Sequence, residues 1–327
     1  MRTLFFSTIF SCLLSIILGF FHIFFFKKVR VGQPILSYVK EHKGKSGTPT
    51  SGGLFFILSS VIIFVILGGL SGKIAGVSVS YGLAFLVIGF IDDFLKLKRA
   101  DNQGLKAYQK IIFQVIISIF AGFFAYKNAL TFFYIPFTKI KVDFGFFTIP
   151  FVAIVLIAVT NSVNLTDGLD GLAGSVSLTY FIFIAVLIFL EKNYFFPLYF
   201  LSEEFYALEL LCFTLIGGLL GFLIFNTHNA SVFMGDTGSL SLGGFIAVIS
   251  LFSGNGLFIP IIGFVFLLSS LSVIIQVLYF KRTKKRVFLM SPIHHHFQMK
   301  GYSECKITYA YTIITSILGV FSIILYL

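Results

Sequence analysis

Long apolar runs separated by short polar segments dominate the chain from end to end. They fall at about 4–26, 52–70, 77–95, 110–127, 145–162, 174–190, 207–225, 238–253, 257–280 and 307–327. Most approach the roughly 20 residues that an α-helix needs to cross a bilayer. They are continuous and do not alternate apolar with polar positions as the strands of a transmembrane barrel do. The pattern predicts an all-α integral membrane protein of about ten transmembrane helices, forming a single polytopic membrane domain over residues 1–327. Only Ser253-Gly254-Asn255-Gly256 divides the eighth run from the ninth, so nine helices is the nearest alternative count. The first run has no basic leader beyond Arg2 and no small-residue cleavage site, so it reads as a retained helix and not a signal peptide.

Composition sharpens this. The chain is 57% hydrophobic and 11% charged, against about 25% charged in an average soluble domain. Too little polar surface is available for a water-soluble globule, and too much apolar surface for a disordered chain. Cys12, Cys212 and Cys305 are scattered, with neither a disulfide framework nor a zinc spacing. The net charge of +11 points to loop topology ahead of nucleic acid, and no nucleic-acid partner is expected. The segments that follow runs 1, 3, 5, 7 and 9 hold eighteen of the 24 Lys and Arg residues. The positive-inside rule makes that face cytoplasmic and puts both termini outside.

The same face gathers Asp92, Asp93, Asp101, Asp167, Asp170 and Asp236 and five of the six histidines. On the other face Asp143, Glu191, Glu203, Glu204 and Glu209 stand in unpatterned settings. Titratable groups concentrated at one membrane surface, and not strung through the bilayer, favour an enzyme over a carrier.

Five segments carry candidate chemistry. Lys45-Ser46-Gly47-Thr48-Pro49-Thr50-Ser51-Gly52-Gly53 opens the second helix, where free N–H groups suit an anion; an ordinary capped helix start is the competing reading. Asp92 and Asp93 end the third helix, where carboxylates oppose the helix dipole. Diverging by about 100° around the axis, they would aim at different partners: a substrate proton, a metal or a lysine. Asn161, Asn164, Asp167 and Asp170 recur every third residue, and a helical stretch would align them on one face. Their hard oxygens suit Mg²⁺ or Mn²⁺, and their amides suit a nucleobase or a sugar. Asp236, followed by Thr237 and Ser239, could hold a metal with nearby hydroxyls. His294, His295 and His296 cannot all ligate one metal from a regular helix, which weakens a zinc reading; imidazoles beside phosphates fit better. Carboxylates, lysines and histidines at a bilayer edge suit phosphoryl chemistry between a water-soluble and a lipid partner. A divalent cation is then needed to bring an anionic diphosphate to the acids.

Thr48-Pro49-Thr50-Ser51-Gly52-Gly53, Asp92-Asp93, Asn164-Leu165-Thr166-Asp167-Gly168-Leu169-Asp170-Gly171-Leu172-Ala173 and Pro292-Ile293-His294-His295-His296-Phe297 together resemble the phospho-N-acetylmuramoyl-pentapeptide transferase family. That family belongs to the polyprenyl-phosphate N-acetylhexosamine-1-phosphate transferases. The resemblance spans nearly the whole chain. It implies ten helices in the bacterial cytoplasmic (inner) membrane, contact with membrane lipids, Mg²⁺, and transfer of phospho-MurNAc-pentapeptide from UDP-MurNAc-pentapeptide to undecaprenyl phosphate with release of UMP. Carried onto matching positions, it makes Asp92 the base toward the lipid phosphate and Asp93 its partner near the metal. Asp236 becomes the Mg²⁺ ligand, with Asp167 as a second. Lys45, Asn164, Asp167, Gly168, Asp170 and Phe233 would form the nucleoside and diphosphate pocket, with Phe233 stacking on uracil. Thr50, Lys110 and Asn161 join the substrate-binding set. His294, one of the catalytic set, and His295 would support the diphosphate or sugar, His296 joins the substrate-binding set, and Gln276 lines the pocket from the ninth helix. Two positions depart from the family pattern. Ser51 stands where Met is usual and is read as a packing change. Gln298 stands where Glu is usual and removes an acidic group behind the histidines. A GlcNAc-1-phosphate transferase and a cation-coupled transporter are the alternative functions, and the oligomeric state stays open, a homodimer included.

Overall fold

The computed structural model describes residues 2–29, 48–99, 104–138, 140–192 and 199–327. Lys45 and Asp101 lie outside them. The helices are α1 (Arg2–Val29), α2 (Gly53–Ile66), α3 (Lys73–Arg99), α4 (Ala107–Lys127), α5 (Thr148–Thr166), α6 (Leu172–Leu190), α7 (Tyr199–Asn226), α8 (Gly235–Phe252), α9 (Ile259–Ile262), α10 (Phe264–Thr283), α11 (Ile293–Met299) and α12 (Glu304–Tyr326). Among the described residues nine are long and apolar enough to cross a membrane, and Gly53–Ile66 is a shorter apolar helix. This is an all-α multi-pass membrane protein, with one addition to the expected set. A two-stranded antiparallel hairpin, β1 (Phe132–Tyr134) and β2 (Lys141–Asp143), pairs Phe133 with Val142. The run at 257–280 is also not one helix. Pro260 sits in the first turn of α9, and the chain breaks at Gly263 before α10.

The core is built around α8. Residues 237–252 of that helix are all buried. Small residues let its neighbours approach backbone to backbone. A Cβ added at Gly89 of α3 would lie 2.1 Å from the Asp236 carbonyl oxygen, and one at Gly53 of α2 would lie 2.2 Å from the Gly238 nitrogen. Without a water-driven hydrophobic effect between them, membrane helices associate by such close packing. α3 and α5 also pack on α8, α4 packs on α5, and α1, α2 and α6 pack on α7. The outer faces stay apolar: Phe20, Phe21 and Phe120 are each more than 60% exposed, a surface suited to lipid tails.

At the end of the bundle that carries β1 and β2, two acids with no sequence pattern have structural work. Glu204 accepts the backbone N–H groups of Lys73 (2.9 Å) and Ile74 (2.8 Å) and so caps α3 from α7. Buried Glu191 accepts from Lys141 of β2 and from the Tyr326 hydroxyl of α12.

Candidate functional site

At the opposite end, the last turns of α3 meet the first turn of α8. Gly235 enters α8 at φ +71°, a left-handed conformation that favours glycine. A side chain there would strike Asp93 Oδ2, 2.4 Å from an added Cβ. No side chain of its own segment caps α8. Asp93 does so from α3, accepting N–H bonds from Asp236 (3.1 Å) and Thr237 (3.0 Å) and a hydroxyl bond from Thr237 Oγ1 (2.6 Å). Ser51 Oγ adds a fourth bond at 3.1 Å. A buried carboxylate at a helix N-terminus is favoured by those donors and by the dipole. The cap fixes where Asp236 begins.

Asp236 then meets a ring of partners. Its Oδ2 takes Lys110 Nζ (2.7 Å) and Lys96 Nζ (3.0 Å), and its Oδ1 takes Asn164 Nδ2 (2.7 Å). Asp92 pairs with Lys96 at 2.6 Å, one helical turn on, and with Lys110 at 3.4 Å. Asp92 Oδ1 also accepts the Leu105 N–H at 2.8 Å. Oxygens of Asp92, Asp93 and Asp236 lie within 4.8 Å of one another, the group of acids among the described residues that could hold a metal ion. Two ammoniums face these three carboxylates, leaving the cluster anionic when all are ionised. Their hard oxygen donors fit a cation such as Mg²⁺. Asp167 is not a member of this trio, although Asp236 acts on it electrostatically. Burial first, and then the charges of Asp236, Asp93 and Asp170, hold its carboxyl well above the ordinary carboxylate range.

Beside the trio opens a cavity of about 360 Å³ lined by Asp92, Lys96, Arg99, Lys106 and Lys110, with Gly104 and Leu105. Four cations around one carboxylate make a pocket for phosphate oxygens. In the sequence Lys96, Arg99 and Lys106 stand out only as charges on the cytoplasmic face. The i,i+4 spacing of Asp92 and Lys96 was the available sign.

Several expected placements differ. α5 ends at Thr166 and Gly171 turns at φ +72°, so the polar stripe breaks after Asn164. Asn161 donates to Gln114 of α4 (2.7 Å), a buried residue without any sequence pattern. Asp170 instead pins the chain at Ala230, whose N–H it accepts at 3.2 Å. The start of α2 is not an open anion site, because Gly52 and Gly53 donate their N–H groups to the Phe233 (2.9 Å) and Met234 (3.1 Å) carbonyls. Thr50 is buried beneath Gly235, and Phe233, half-exposed, stands beside this pairing. Ser51 is more than packing: its hydroxyl reaches Asp93. Thr237 and Ser239 do not turn to a metal; the first bonds Asp93 and the second bonds Asn164 and the Gly235 carbonyl. Gln276 accepts the N–H groups of Val287 (3.1 Å) and Phe288 (2.9 Å) and thereby staples the loop before α11.

The three histidines diverge around α11. His296 Nδ1 accepts the Leu289 N–H at 3.1 Å, and His295 Nδ1 lies 3.0 Å from Gln298 Oε1. His294 is fully buried, and neither ring nitrogen has a hydrogen-bond partner among the described residues. Its Nε2 lies 2.4 Å from a Cβ added at Gly168, so only glycine lets the turn after Asp167 approach it. Burial, followed by neighbouring His295, pushes its pKa well below 6.5.

Comparison with known proteins finds relatives over nearly the whole chain. The model of glycosyl transferase family 4 matches residues 75–254. A phospho-N-acetylmuramoyl-pentapeptide-transferase of Clostridium botulinum (strain Alaska E43 / Type E3) is 44% identical over 312 residues, 95% of this chain and 92% of that one. Proteins of the same name from Clostridium novyi (strain NT) and Caldanaerobacter subterraneus subsp. tengcongensis are 42% and 39% identical, covering 97% and 95% of this chain and 95% of each of theirs.

Two outcomes follow from the geometry. Asp93→Asn replaces an acceptor oxygen by a donor against the start of α8. Hydrogen bonds to a charged group contribute about 1.5–3 kcal/mol each, so the melting temperature in detergent should fall by several degrees; an unchanged value would remove Asp93 as the cap. His294 stays neutral in the folded chain while its unfolded counterpart takes up a proton below about pH 6.5. Its contribution is therefore present above that pH and is lost as the pH falls, by up to about 1.4 kcal/mol per unit. Melting curves at pH 7.5 and 5.5 should show a smaller acid loss for His294→Gln than for the native chain; equal losses would contradict the assignment.

Proposed function

The chain is a membrane-embedded transferase that belongs to glycosyl transferase family 4 and, by similarity over nearly its whole length, to the phospho-N-acetylmuramoyl-pentapeptide-transferases; on that premise we propose the following reaction. It transfers phospho-MurNAc-pentapeptide from UDP-MurNAc-pentapeptide to undecaprenyl phosphate, giving lipid I and UMP. An oxygen of the lipid phosphate attacks the sugar-linked phosphorus of the diphosphate. The bond from that phosphorus to the bridging oxygen breaks, and UMP leaves with the electron pair. Residues 1–327 act as one domain of the bacterial cytoplasmic membrane, with both termini outside and the carboxylate end inside, as the lysine and arginine distribution indicates.

The observation that carries this reading is the juxtaposition of a three-carboxylate cluster with a four-cation pocket at one end of the bundle. Asp92 belongs to both, so it is the group placed to take a proton from the acceptor phosphate. Lys96, Lys110, Arg99 and Lys106 receive phosphate oxygens and hold the two anionic substrates within reach of each other. Asp236 and Asp92 are the residues to hold Mg²⁺, while Asp93 is committed to α8. The ion supplies neutralisation of charge on the diphosphate when bound. Asn164 orients Asp236. Asp167, half-buried beside the cluster, joins the nucleotide pocket. Lys45, Gly168, Phe233 and the histidine helix complete the nucleotide and sugar pocket, with Phe233 offering a ring face to uracil.

Purified protein with undecaprenyl phosphate, UDP-MurNAc-pentapeptide and Mg²⁺ should release UMP, and EDTA should stop the release. Asp236→Ala should lower turnover by about a hundredfold or more while the protein still inserts in membranes. Equal release from UDP-GlcNAc, or normal turnover by Asp236→Ala, would overturn the reading.

A further inference from the structure

α4 turns little bulk toward the bundle. Its buried residues are Gln114, Ser118, Ala121, Gly122 and Ala125, while bulky side chains such as Phe113 and Phe120 are exposed on its outer face. Far from the carboxylates the helix is seated by close approach. A Cβ added at Gly122 would lie 2.5 Å from the Ile149 carbonyl oxygen of α5. Nearer the carboxylates, the one long side chain among its buried residues is Gln114.

Gln114 is fully buried on a helix apolar enough to cross a membrane. A carboxamide in that setting is costly unless it is hydrogen-bonded. Its Oε1 accepts from Asn161 Nδ2 of α5 at 2.7 Å, and the same nitrogen donates to the Ile157 carbonyl at 2.7 Å. Both amide hydrogens of Asn161 are therefore engaged. Gln114 Nε2 has no hydrogen-bond partner among the described residues. For packing alone, an apolar side chain of that size would cost less. What the carboxamide adds is its bond to Asn161.

That bond closes a ring. α4 begins at the carboxylate end and α5 ends there. Lys110 precedes Gln114 by one turn on the same face of α4, and Asn164 follows Asn161 by one turn on the same face of α5. Lys110 Nζ holds Asp236 Oδ2 at 2.7 Å, and Asn164 Nδ2 holds Asp236 Oδ1 at 2.7 Å. One carboxylate is thus gripped by two arms, one from each helix. Gln114 ties those two helices together one turn, about 5 Å, beneath it.

We propose that Gln114 is a positioning residue for the transfer reaction, whose bond to Asn161 fixes the reach of Lys110 to the Asp236 and Asp92 carboxylates. Without the bond, the near end of α4 is free to tilt away from α5 about the Gly122 contact, and Lys110, beyond Gln114 on that lever, moves furthest. Asp236 then keeps Asn164 and Lys96 and loses Lys110. The acid cluster becomes more negative, so a dication gains, while a phosphate in the neighbouring pocket loses a cation. The kinetic consequence rests on the transferase reading above; the geometric one does not.

The test uses the full chain in detergent. Gln114→Met removes the acceptor at nearly constant volume. Its UMP release should fall about tenfold, the size of one hydrogen bond, while Mn²⁺, followed by electron paramagnetic resonance, should bind more tightly. Lys110→Met should move both quantities in the same directions, and the double variant should be no slower than Lys110→Met alone. A merely structural loss would instead weaken turnover and Mn²⁺ binding together and add to the effect of Lys110→Met. Ser118→Ala, one turn further along α4, removes a buried hydroxyl that has no partner among the described residues and should change neither quantity. If Gln114→Met does not fold, Gln114→Asn serves instead, since it keeps the amide and falls short of Asn161. Native turnover and Mn²⁺ affinity in the Gln114 variants, weakened Mn²⁺ binding, additivity with Lys110→Met, or an equal loss in Ser118→Ala would overturn the proposal. Absence of UMP release from the native chain would sink the transferase reading instead, and matching Mn²⁺ shifts in the Gln114 and Lys110 variants would still support this one, as unequal shifts would refute it.

Discussion

One buried carboxylate, Asp93, fixes the geometry of the cluster. It belongs to α3, yet its oxygens close the open N–H groups at the start of α8. Helix ends inside a membrane protein have no water to satisfy them, so a cap must come from the protein. Because the cap comes from a different helix, it sets the position of α8 against α3, and with it the direction in which Asp236 projects. The neighbouring Asp92 is turned away by the helical advance and meets lysines instead. Adjacent identical residues thereby do different jobs, one building the pocket and the other facing into it. Glu204 caps α3 from α7 in the same manner, so a carboxylate reaching across to another helix's first turn recurs at both ends of this bundle.

The electrostatics follow from that placement. Asp92, Asp93 and Asp236 are gathered more closely than like charges tolerate in a low-dielectric setting. Lys96 and Lys110 offset part of the repulsion, and the remaining negative charge adds to the effect of burial in raising the pKa of Asp167 nearby. Such a cluster would be an unstable place for a structural motif. Its hard oxygen donors suit a dication. On the other flank, buried His294 faces the Gly168 turn as a neutral imidazole, able to donate or accept one bond without adding charge.

Much of this was legible in the chain, and the remainder has a common cause. Apolar run lengths gave the membrane helices, and charge counting put Asp92, Asp93, Asn164, Asp236 and His294 on one surface, where the structure brings together the first four and sets His294 against the turn after Asp167. Those inferences depend on local periodicity or on bulk composition. The structure departs wherever a group's partner is distant in sequence. Nothing near Ser51 announces that its hydroxyl meets Asp93, forty-two residues on. The amide groups of Gly52 and Gly53 looked free only because the 233–234 backbone that takes them was invisible. The stripe of Asn161, Asn164, Asp167 and Asp170 assumed an unbroken helix, whereas Gly168 and Gly171 end it. The hairpin at 132–143 is too short to register against long apolar neighbours. Lys96 is the exception, since its spacing from Asp92 could have been read directly.

Asp93, acting through α8, is what would assemble a divalent site from Asp236 and Asp92. Mn²⁺ binding to the purified chain, followed by electron paramagnetic resonance, tests this without requiring turnover. One Mn²⁺ per chain is expected. Its affinity should collapse in Asp236→Asn, weaken in Asp93→Asn through displacement of α8, and persist in Asp167→Asn. Undiminished Mn²⁺ binding by Asp236→Asn, or loss confined to Asp167→Asn, would contradict it.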